Sequence, residues 1–384
     1  MHRTYVLINN TSLGGAERRL GRLFARMAKT DAGSCLVVNE MLWRQLLAAG
    51  VVTEEETRVW RLAEPCSKLA VGLGLWRGSL SFWIKKLDYL FFACLLLIRY
   101  TCARRRLFHL ALGGTYVALP LMLVRPGHRF VNSVTNRNLA GLVGVPWALP
   151  IYRFALSRCD AIDALSTGIR ADLSQRGIAV RKIVTSPGSV VDLDRYYPAA
   201  EKEPWVVFAG RFVEEKRPVL FLEAIPAIVQ AVPSARFFLL GEGPLRSAID
   251  ETLDRLQLRR RVQVGFLPDP VPVLSKACVF VSLQRQDNYP SQSLLEAMAC
   301  CAVPVATDVG LTWQLVDETT GILVKPDPSE IAQSVITLLK DPPRCDRLGQ
   351  AGRRRVAEQH SEERYRQHLV ALYAGVEPRG ECDD

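Results

Sequence analysis

The sequence predicts an α/β protein that contains two doubly wound parallel sheets. Three observations point to this fold. With 384 residues, 49% of them hydrophobic, the chain is long enough for two domains that each bury a core. Residues 205–340 alternate strand-like and helix-like segments, a pattern that produces a parallel sheet with helices on both faces. Near the N-terminus, a strand-like segment runs into a glycine-rich turn and then a helix.

The first predicted domain covers residues 1–190 and opens with a buried strand at 4–9. Gly14 and Gly15 form the tight turn after this strand, where doubly wound sheets approach a phosphate group. A helix follows over 16–29, because apolar side chains recur there at the helical spacing i, i+3, i+4, i+7. Further strands are predicted at 35–39, 107–112, 129–134, 161–165 and 182–185.

The longest apolar run, Tyr89 to Ile98, has ten residues, well short of the roughly 20 that span a bilayer. Because it is apolar nearly all round, the sequence favours a helix buried in the core over one lying in a membrane interface. The ten cysteines form no CxxC pair, and the N-terminus does not resemble a signal peptide. These features predict a cytoplasmic protein, with no disulfide framework and no metal site.

The charge is divided unequally along the chain. Residues 1–190 contain 26 Lys and Arg against 11 Asp and Glu, a net charge of +15, whereas the remainder has 23 against 28, or −5. A basic domain attracts an anionic partner, such as a phospholipid surface, a polyprenyl phosphate or an acidic glycan. Nucleic acid is disfavoured, because aromatic residues are not interleaved with the basic ones.

A linker over 191–198 leads into the second predicted domain, residues 199–360. Its strands are predicted at 205–209, 235–240, 262–264, 278–282, 303–306 and 322–324. Its helices are predicted at 218–231, 244–256, 270–276, 291–301, 311–317 and 328–340. A last helix over 361–374 begins with Ser361 as its N-cap.

Chemistry-bearing residues of the second domain follow the ends of predicted strands. They are Arg211, the GEG turn at 241–243, Gly265 with Phe266, and the DNYPS loop at 287–291. The carboxyl ends of parallel strands share one edge of a sheet, so these residues converge on a ligand site. The DNYPS loop feeds a helix N-terminus, which favours phosphate, and Glu296 inside that helix suits ribose hydroxyls. Arg211 and Lys216 supply cations for a diphosphate.

Five motifs occur in the order found in the retaining glycosyltransferases of family 4, the glycosyl transferases group 1. They are GRF…K at 210–216, FFLLGEGPLR at 237–246, VQVGFLPDPVPVLSKACVFVSL at 262–283, the Glu296 helix, and GILVKPDPSEIAQSVITLL at 321–339. The chain resembles this family over nearly all of residues 200–375. The match is looser in the N-terminal half, at GGAERR (14–19) and SPGSVVDLDRYYP (186–198).

The resemblance implies the GT-B fold, in which two Rossmann-like domains face a central cleft. It also implies metal-independent transfer of a hexosyl unit from a nucleoside-diphosphate-sugar, without a cofactor, and a C-terminal helix (361–378) that packs back on the first domain. Arg211, Lys216 and Glu296 are the expected catalytic residues. Substrate contacts are expected from Gly14, Gly15, Gly243, Phe266, Asp287, Asn288, Tyr289, Ser291 and Leu295.

Two departures from the family pattern stand out. Family members usually carry Glu-x7-Glu, but Asn288 occupies the first position here, with Asp287 beside it. The segment 130–138 also lacks the histidine that the family often has after a strand of the first domain. Two other functions therefore stay open: a nucleotide-sugar 2-epimerase of the same fold, and a catalytically silent scaffold that binds a nucleotide sugar.

Overall fold

A computed structural model describes residues 4–9, 15–30, 34–53, 59–73, 78–102, 106–124, 127–135, 148–187 and 189–375. The chain divides into two compact units. The first consists of Met1–Gly188 together with Arg366–Asp384, and the second of Ser189–Tyr365. The chain thus returns to the first unit after completing the second.

The first unit contains a seven-stranded parallel sheet with the strand order β3-β2-β1-β4-β5-β6-β7. Its strands are β1 (Thr4–Asn9), β2 (Ser34–Asn39), β3 (Val59–Leu62), β4 (Leu107–Leu112), β5 (Arg129–Val134), β6 (Ala161–Ala164) and β7 (Ile183–Thr185). Its helices are α1 (Gly15–Thr30), α2 (Glu40–Ala48), α3 (Pro65–Gly72), α4 (Gly78–Tyr100), α5 (Gly114–Val124), α6 (Ala148–Arg158) and α7 (Thr167–Gln175). Every strand expected from the sequence is present, and β3 is additional.

The second unit contains a six-stranded parallel sheet with the order β10-β9-β8-β11-β12-β13. Its strands are β8 (Glu203–Ala209), β9 (Arg236–Leu240), β10 (Val262–Gly265), β11 (Ala277–Ser282), β12 (Val303–Thr307) and β13 (Ile322–Val324). Its helices are α8 (Pro218–Ala231), α9 (Arg246–Arg255), α10 (Val271–Leu274), α11 (Gln292–Ala299), α12 (Pro328–Lys340) and α13 (Pro342–Gln359). The direction in which strands are added reverses between β8 and β11, which makes this gap the topological switch point.

The prediction of a helix over 311–317 is wrong. Only one 3-10 turn, Thr312–Gln314, forms there. The Asp317 carboxylate accepts hydrogen bonds from the backbone N–H of Thr319 (2.9 Å) and from Arg355 (2.8 Å), and these bonds close the segment into a turn. Helix α13 was not predicted, and α10 is a single turn.

Helix α4 is buried on one side only. Phe92, Leu96 and Tyr100 lie in the core with Phe108 of β4. The expectation of a core helix is therefore wrong for its other side, where Ile98 is 80% exposed. A helix that covers a sheet from outside has only one face to bury, whatever its composition. No helix among the residues described is both long and apolar enough to cross a bilayer.

The last helix, α14 (Glu362–Ala374), starts in the second unit and ends in the first. Ser361 caps it, since its hydroxyl accepts a hydrogen bond from the Arg364 N–H (3.3 Å). The expected extension over 376–378 lies outside the described residues. His368 of this helix donates to the buried carboxylate of Asp163 on β6 (2.9 Å).

A buried chain of hydrogen bonds continues from Asp163 to the end of α14. The Ser133 hydroxyl donates to Asp163 (2.7 Å), and the His109 Nε2–H donates to Ser133 (2.8 Å). The Tyr373 hydroxyl donates to His109 Nδ1 (2.5 Å). Burial lowers the pKa of His109 to about 4, so its imidazole is neutral, as this pattern of donors requires. His109 is therefore a satisfied core histidine.

Candidate functional site

The loops that follow β8, β9 and β10 are bonded into one rim at the carboxyl edge of the second sheet. The Gly210 N–H donates to the Leu240 carbonyl (2.9 Å), and the Phe212 N–H donates to the Glu242 carbonyl (2.8 Å). The Gly241 N–H donates in turn to the Gly265 carbonyl (3.0 Å). Residues that follow three separate strands are thereby fixed at the edge where open α/β sheets bind ligands.

Gly243 is needed for the packing of this rim. A Cβ atom at Gly243 would lie 2.5 Å from the Phe212 carbonyl oxygen and 2.8 Å from the Phe212 nitrogen. No side chain fits there, so the glycine lets the β9 loop approach the β8 loop. Phe266, just after β10, is 55% exposed and available to a ligand.

Arg211 and Lys216 form a pair of cations after β8. Arg211 is exposed, whereas Lys216 is half-buried, with its stem about 4.0 Å from where a Cβ atom at Gly210 would lie. Burial, reinforced by the charge of Arg211, lowers the pKa of Lys216 to about 8. Within the described part of the chain, neither side chain has an ion pair with a carboxylate. Two adjacent cations without an acidic partner favour an anionic ligand.

The turn that carries Lys216 is fastened to the segment after β11. The Arg285 N–H donates to the Glu215 carbonyl (2.8 Å), and the Arg217 guanidinium donates to the Gln284 carbonyl (3.3 Å). Arg217 has a left-handed backbone (φ 50°), which turns the chain sharply into α8. The cations therefore lie beside the segment leading into the DNYPS loop, at the switch point between β8 and β11.

Asp287 positions the DNYPS loop. One of its carboxylate oxygens, Oδ1, accepts hydrogen bonds from the backbone N–H groups of Tyr289 and Leu311, both at 3.2 Å. Its side chain lies over Gly310, where a Cβ atom would come within 2.4 Å of it. Asn288, next along the loop, is exposed. With Asp287 engaged in this way, Asn288 is the better placed of the two to contact a ligand.

Helix α11 presents its N-terminus to this loop. Ser291 precedes the helix and is buried, but its side chain does not cap the helix. The first N–H groups of a helix have no partner within it and lie at the positive end of its dipole, an arrangement suited to phosphate. Leu295 is fully buried in the core beneath, so its side chain is part of the packing.

Glu296 stands one turn further along α11. The Gln292 side-chain amide donates to Glu296 (3.1 Å) and also to the Val190 carbonyl (3.1 Å). This amide fixes the carboxylate beside the segment that enters the second unit. Glu296 is partly exposed and can still accept hydrogen bonds from a ligand.

The structure places Arg211, Lys216, Gly243, Phe266 and the DNYPS loop after strands at one edge of the second sheet, and Glu296 in α11, the helix that follows this loop. Of the two glycines predicted in the first unit, Gly15 begins α1, and Gly14 lies outside the described residues. Sequence reasoning missed Arg217, Gln284 and Gln292, which hold the cations and Glu296 in place. The position of Arg217 directly after Lys216 was the available signal. In the ranges described, no three His, Cys, Asp or Glu side chains are grouped to hold a metal ion.

Residues 203–341 match the family model described as "Glycosyl transferases group 1". Among curated proteins, the alpha-D-kanosaminyltransferase of Streptomyces kanamyceticus is 28% identical over 180 residues, covering 46% of this chain and 47% of the relative. The alpha-maltose-1-phosphate synthase of Mycolicibacterium smegmatis is 29% identical over 260 residues, covering 59% and 66%. The chain thus spans about half to two thirds of these relatives.

Solved structures match over nearly the whole chain. A structure of Anabaena HepE in complex with UDP-glucose has a TM-score of 0.73 at 14% identity and covers 98% of this chain and 100% of that one. A mutant of S. aureus TarM in complex with fondaparinux, alpha-GlcNAc-glycerol and UDP has a TM-score of 0.72 at 13% identity, covering 97% and 100%. At these identities the likeness concerns the fold. Residues 203–341 therefore match the glycosyl transferases group 1, in agreement with the order of the motifs, and the two doubly wound units of the chain have the GT-B fold.

Proposed function

We propose that the protein is a retaining, metal-independent glycosyltransferase of the hexosyltransferase type. It moves a sugar from a nucleoside-diphosphate-sugar to a glycan or lipid-linked acceptor, in the synthesis of a bacterial surface polysaccharide or glycolipid. The observation that carries this proposal is the Arg211–Lys216 cation pair at the switch point, beside the segment that leads into the DNYPS loop and α11. Two matched relatives, an alpha-D-kanosaminyltransferase and an alpha-maltose-1-phosphate synthase, support it.

The proposed reaction assigns a role to the cation pair, to the start of α11, to Glu296 and to Asn288. When the bond between the sugar and the diphosphate breaks, negative charge grows on the departing phosphate, and Arg211 and Lys216 stabilise it as fixed cations in place of a metal. The free N–H groups at the start of α11 bind a phosphate oxygen. Glu296 accepts hydrogen bonds from ribose hydroxyls, and exposed Asn288 orients hydroxyls of the donor sugar.

The charge of the first unit supports an anionic or lipid-linked acceptor. Its excess of basic residues, +15 over residues 1–190, suits a polyprenyl-phosphate carrier or an acidic glycan. Such acceptors place the enzyme on the inner face of the cytoplasmic membrane as a peripheral protein. No nucleic acid takes part in the proposed function.

A thermal-shift screen of UDP- and GDP-sugars tests donor binding. A donor at 100 times its Kd should stabilise the wild-type protein by about 2.7 kcal/mol. Arg211→Ala should lose this stabilisation and turnover, whereas the control Arg259→Ala, which precedes β10 at the opposite edge of the sheet, should keep both. Equal donor binding and turnover in Arg211→Ala and the wild type would contradict the assignment. A donor sugar changed without acceptor would indicate an epimerase, and binding without turnover a scaffold.

A further inference from the structure

Helix α4 carries an exposed apolar stripe on the side that faces away from the sheet. The stripe consists of Leu87, Leu90, Phe91, Cys94 and Ile98, which we call the outer stripe of α4. Leu87 is 55% exposed, Leu90 61% and Ile98 80%. These positions follow the spacing i, i+3, i+4, i+7, i+11, so they share one side of the helix over about 16 Å of its length. A helix with one apolar side in the core and another in water lacks a partner on the second.

The neighbouring helices extend this apolar surface. Helix α4 packs against α3 and α5, and α5 packs against α6, so the four helices form one layer. The exposed large apolar side chains of the other three are Leu69, Val71, Leu123, Val124, Ile151 and Phe154. Among the side chains described in the second unit, only Tyr197, Phe266 and Trp313 are comparably exposed. Apolar exposure is thus concentrated on this layer, as expected of an interaction surface.

The exposed charges of this layer are cationic. The charged side chains described in α3 to α6 are Lys68, Lys86, Asp88, Arg99, Arg153 and Arg158. The one acid among them, Asp88, is buried and accepts hydrogen bonds from the backbone N–H groups of Cys66 (2.9 Å) and Ser67 (3.0 Å). Burial lowers the pKa of Lys86, and its ammonium lies 5.0 Å from the ring centre of Tyr89.

Among the described side chains of α3 to α6, cations lie beside exposed Leu, Ile and Phe side chains and no acid is exposed, a combination that matches the surface of an anionic bilayer. A second copy of this chain would fit less well. A two-fold contact between two such layers would bring basic residues together, and none of the acids described in these helices is exposed to pair with them. The charge pattern therefore selects a lipid surface as the occupant.

We propose that the outer stripe of α4, flanked by α3, α5 and α6, is the surface by which the protein docks on a bilayer containing anionic phospholipids. Helix α4 lies in the plane of the membrane, its stripe enters the boundary between headgroups and acyl chains, and the basic side chains contact the lipid phosphates. This inference rests on the proposed function for its purpose, because docking brings the enzyme to a lipid-linked acceptor. The docking itself does not depend on nucleotide-sugar binding.

Flotation of the full chain with vesicles tests the surface. The wild type should float with vesicles of phosphatidylcholine and phosphatidylglycerol at low salt, and less with phosphatidylcholine alone or at high salt. Leu90→Glu/Ile98→Glu should lower the partition coefficient at least about 100-fold, since each buried Leu or Ile contributes more than a factor of about ten. Val180→Glu, at a 49% exposed position outside the layer, is the matched control and should float as the wild type does.

Three results would overturn the proposal: a wild type that does not float, a double variant that floats as well as the wild type, or a dimer in solution that the double variant dissociates. A donor-induced thermal shift, measured on the same proteins, separates this surface from the proposed function. The double variant should keep the wild-type shift. Loss of flotation with an intact shift supports the docking surface, and flotation without any shift would contradict the function alone.

Discussion

Lys216 is a residue at which charge and burial oppose each other. The native structure holds its ammonium in surroundings that lower its pKa to about 8, against a usual value of 10.5. At pH 7 the side chain is still charged, and this desolvated charge lowers the stability of the native state. A partly buried lysine that has no ion pair with a carboxylate in the described part of the chain is typical of a site that binds an anion at some loss of stability.

Lys216→Met should therefore raise stability and strongly lower activity. At pH 7 the free energy of unfolding should rise by about 1–3 kcal/mol, because the desolvated charge is gone. Turnover should fall by about 10²–10³, the usual loss when one stabilising group is removed from a charged transition state. Urea denaturation and steady-state rates measure the two effects.

The stability difference between Lys216→Met and the wild type should depend on pH. Between pH 8 and 10.5 the unfolded state holds a proton that native Lys216 has released, so wild-type stability rises with pH and the advantage of Lys216→Met shrinks. Lys276→Met, at an exposed lysine before β11 whose ammonium lies 5.6 Å from the ring centre of Trp205, is the control; it should leave turnover unchanged and should not raise stability. A destabilised Lys216→Met protein would contradict the account.

The sequence indicated the cations but not what holds them. Arg211 and Lys216 follow a strand and a glycine, a local pattern that can be read directly. The second hydrogen bond of Asp287 goes to Leu311, 24 residues further along the chain, and the partner of Arg217 is Gln284, 67 residues away. Contacts made by folding together distant segments leave no periodic signal, so Asp287 was predicted only as a substrate contact.

At the scale of elements, one carboxylate oxygen of Asp287 accepts two hydrogen bonds, one within the DNYPS loop and one from Leu311. Asp287→Ala should leave the N–H groups of Tyr289 and Leu311 without their acceptor and loosen the loop. We expect KM for the donor to rise about tenfold, the equivalent of one lost hydrogen bond of about 1.4 kcal/mol. Asp287→Asn keeps the acceptor oxygen and should stay within about threefold of the wild type by the same conversion. If Asn is as damaging as Ala, Asp287 acts through its charge and the positioning role is wrong.

Helix α14 is joined to the first sheet through a network that titrates. The pKa of His109, lowered by burial to about 4, lies below the 6.5 of an unfolded histidine. Between these values the unfolded state binds more protons, so stability is lost as the pH falls from 6.5 towards 4. Burial alone would raise the pKa of Asp163, but hydrogen bonds from His368 and Ser133 outweigh it and hold that pKa below 3.8. The carboxylate therefore stays charged across this window.

His109→Gln should flatten this acid dependence. The wild type should lose about 3 kcal/mol more stability than the variant between pH 6.5 and 4, in denaturation curves recorded at each pH. Ser133→Ala breaks a bond of the network but keeps the imidazole, so it should lower stability and retain the steep dependence. Parallel curves for the wild type and His109→Gln would show that this histidine does not titrate as described.

At the scale of the whole molecule, the sequence predicted the fold well because both sheets are built from short apolar runs separated by polar turns. The prediction failed where one sequence pattern is compatible with two different structures. The apolar run of α4 has the same composition whether the helix is buried all round or on one side. Which of the two occurs depends on whether other segments pack only against the side of Phe92 or also against the side of Ile98. The segment at 311–317 has a helical composition, but bonds to Asp317 close it early.

The complete reaction allows a prediction about its stereochemistry and its metal requirement. If Arg211 and Lys216 stabilise the leaving diphosphate without a metal, turnover should be unchanged in EDTA. Nuclear magnetic resonance of the first product formed should show the anomeric configuration of the donor. An inverted product, or a rate lost in EDTA and restored by Mg²⁺ or Mn²⁺, would refute the retaining, metal-independent reaction.

The path of α14 has a consequence for synthesis on the ribosome. Asp163 and His109 are made early, but their partners, His368 and Tyr373, are translated only after the whole second unit. The second unit, Ser189–Tyr365, is contiguous and has all its residues before those partners emerge. The second unit can therefore fold first on the ribosome, and the first unit remains incomplete until α14 has been translated, an interval in which chaperones have most to protect.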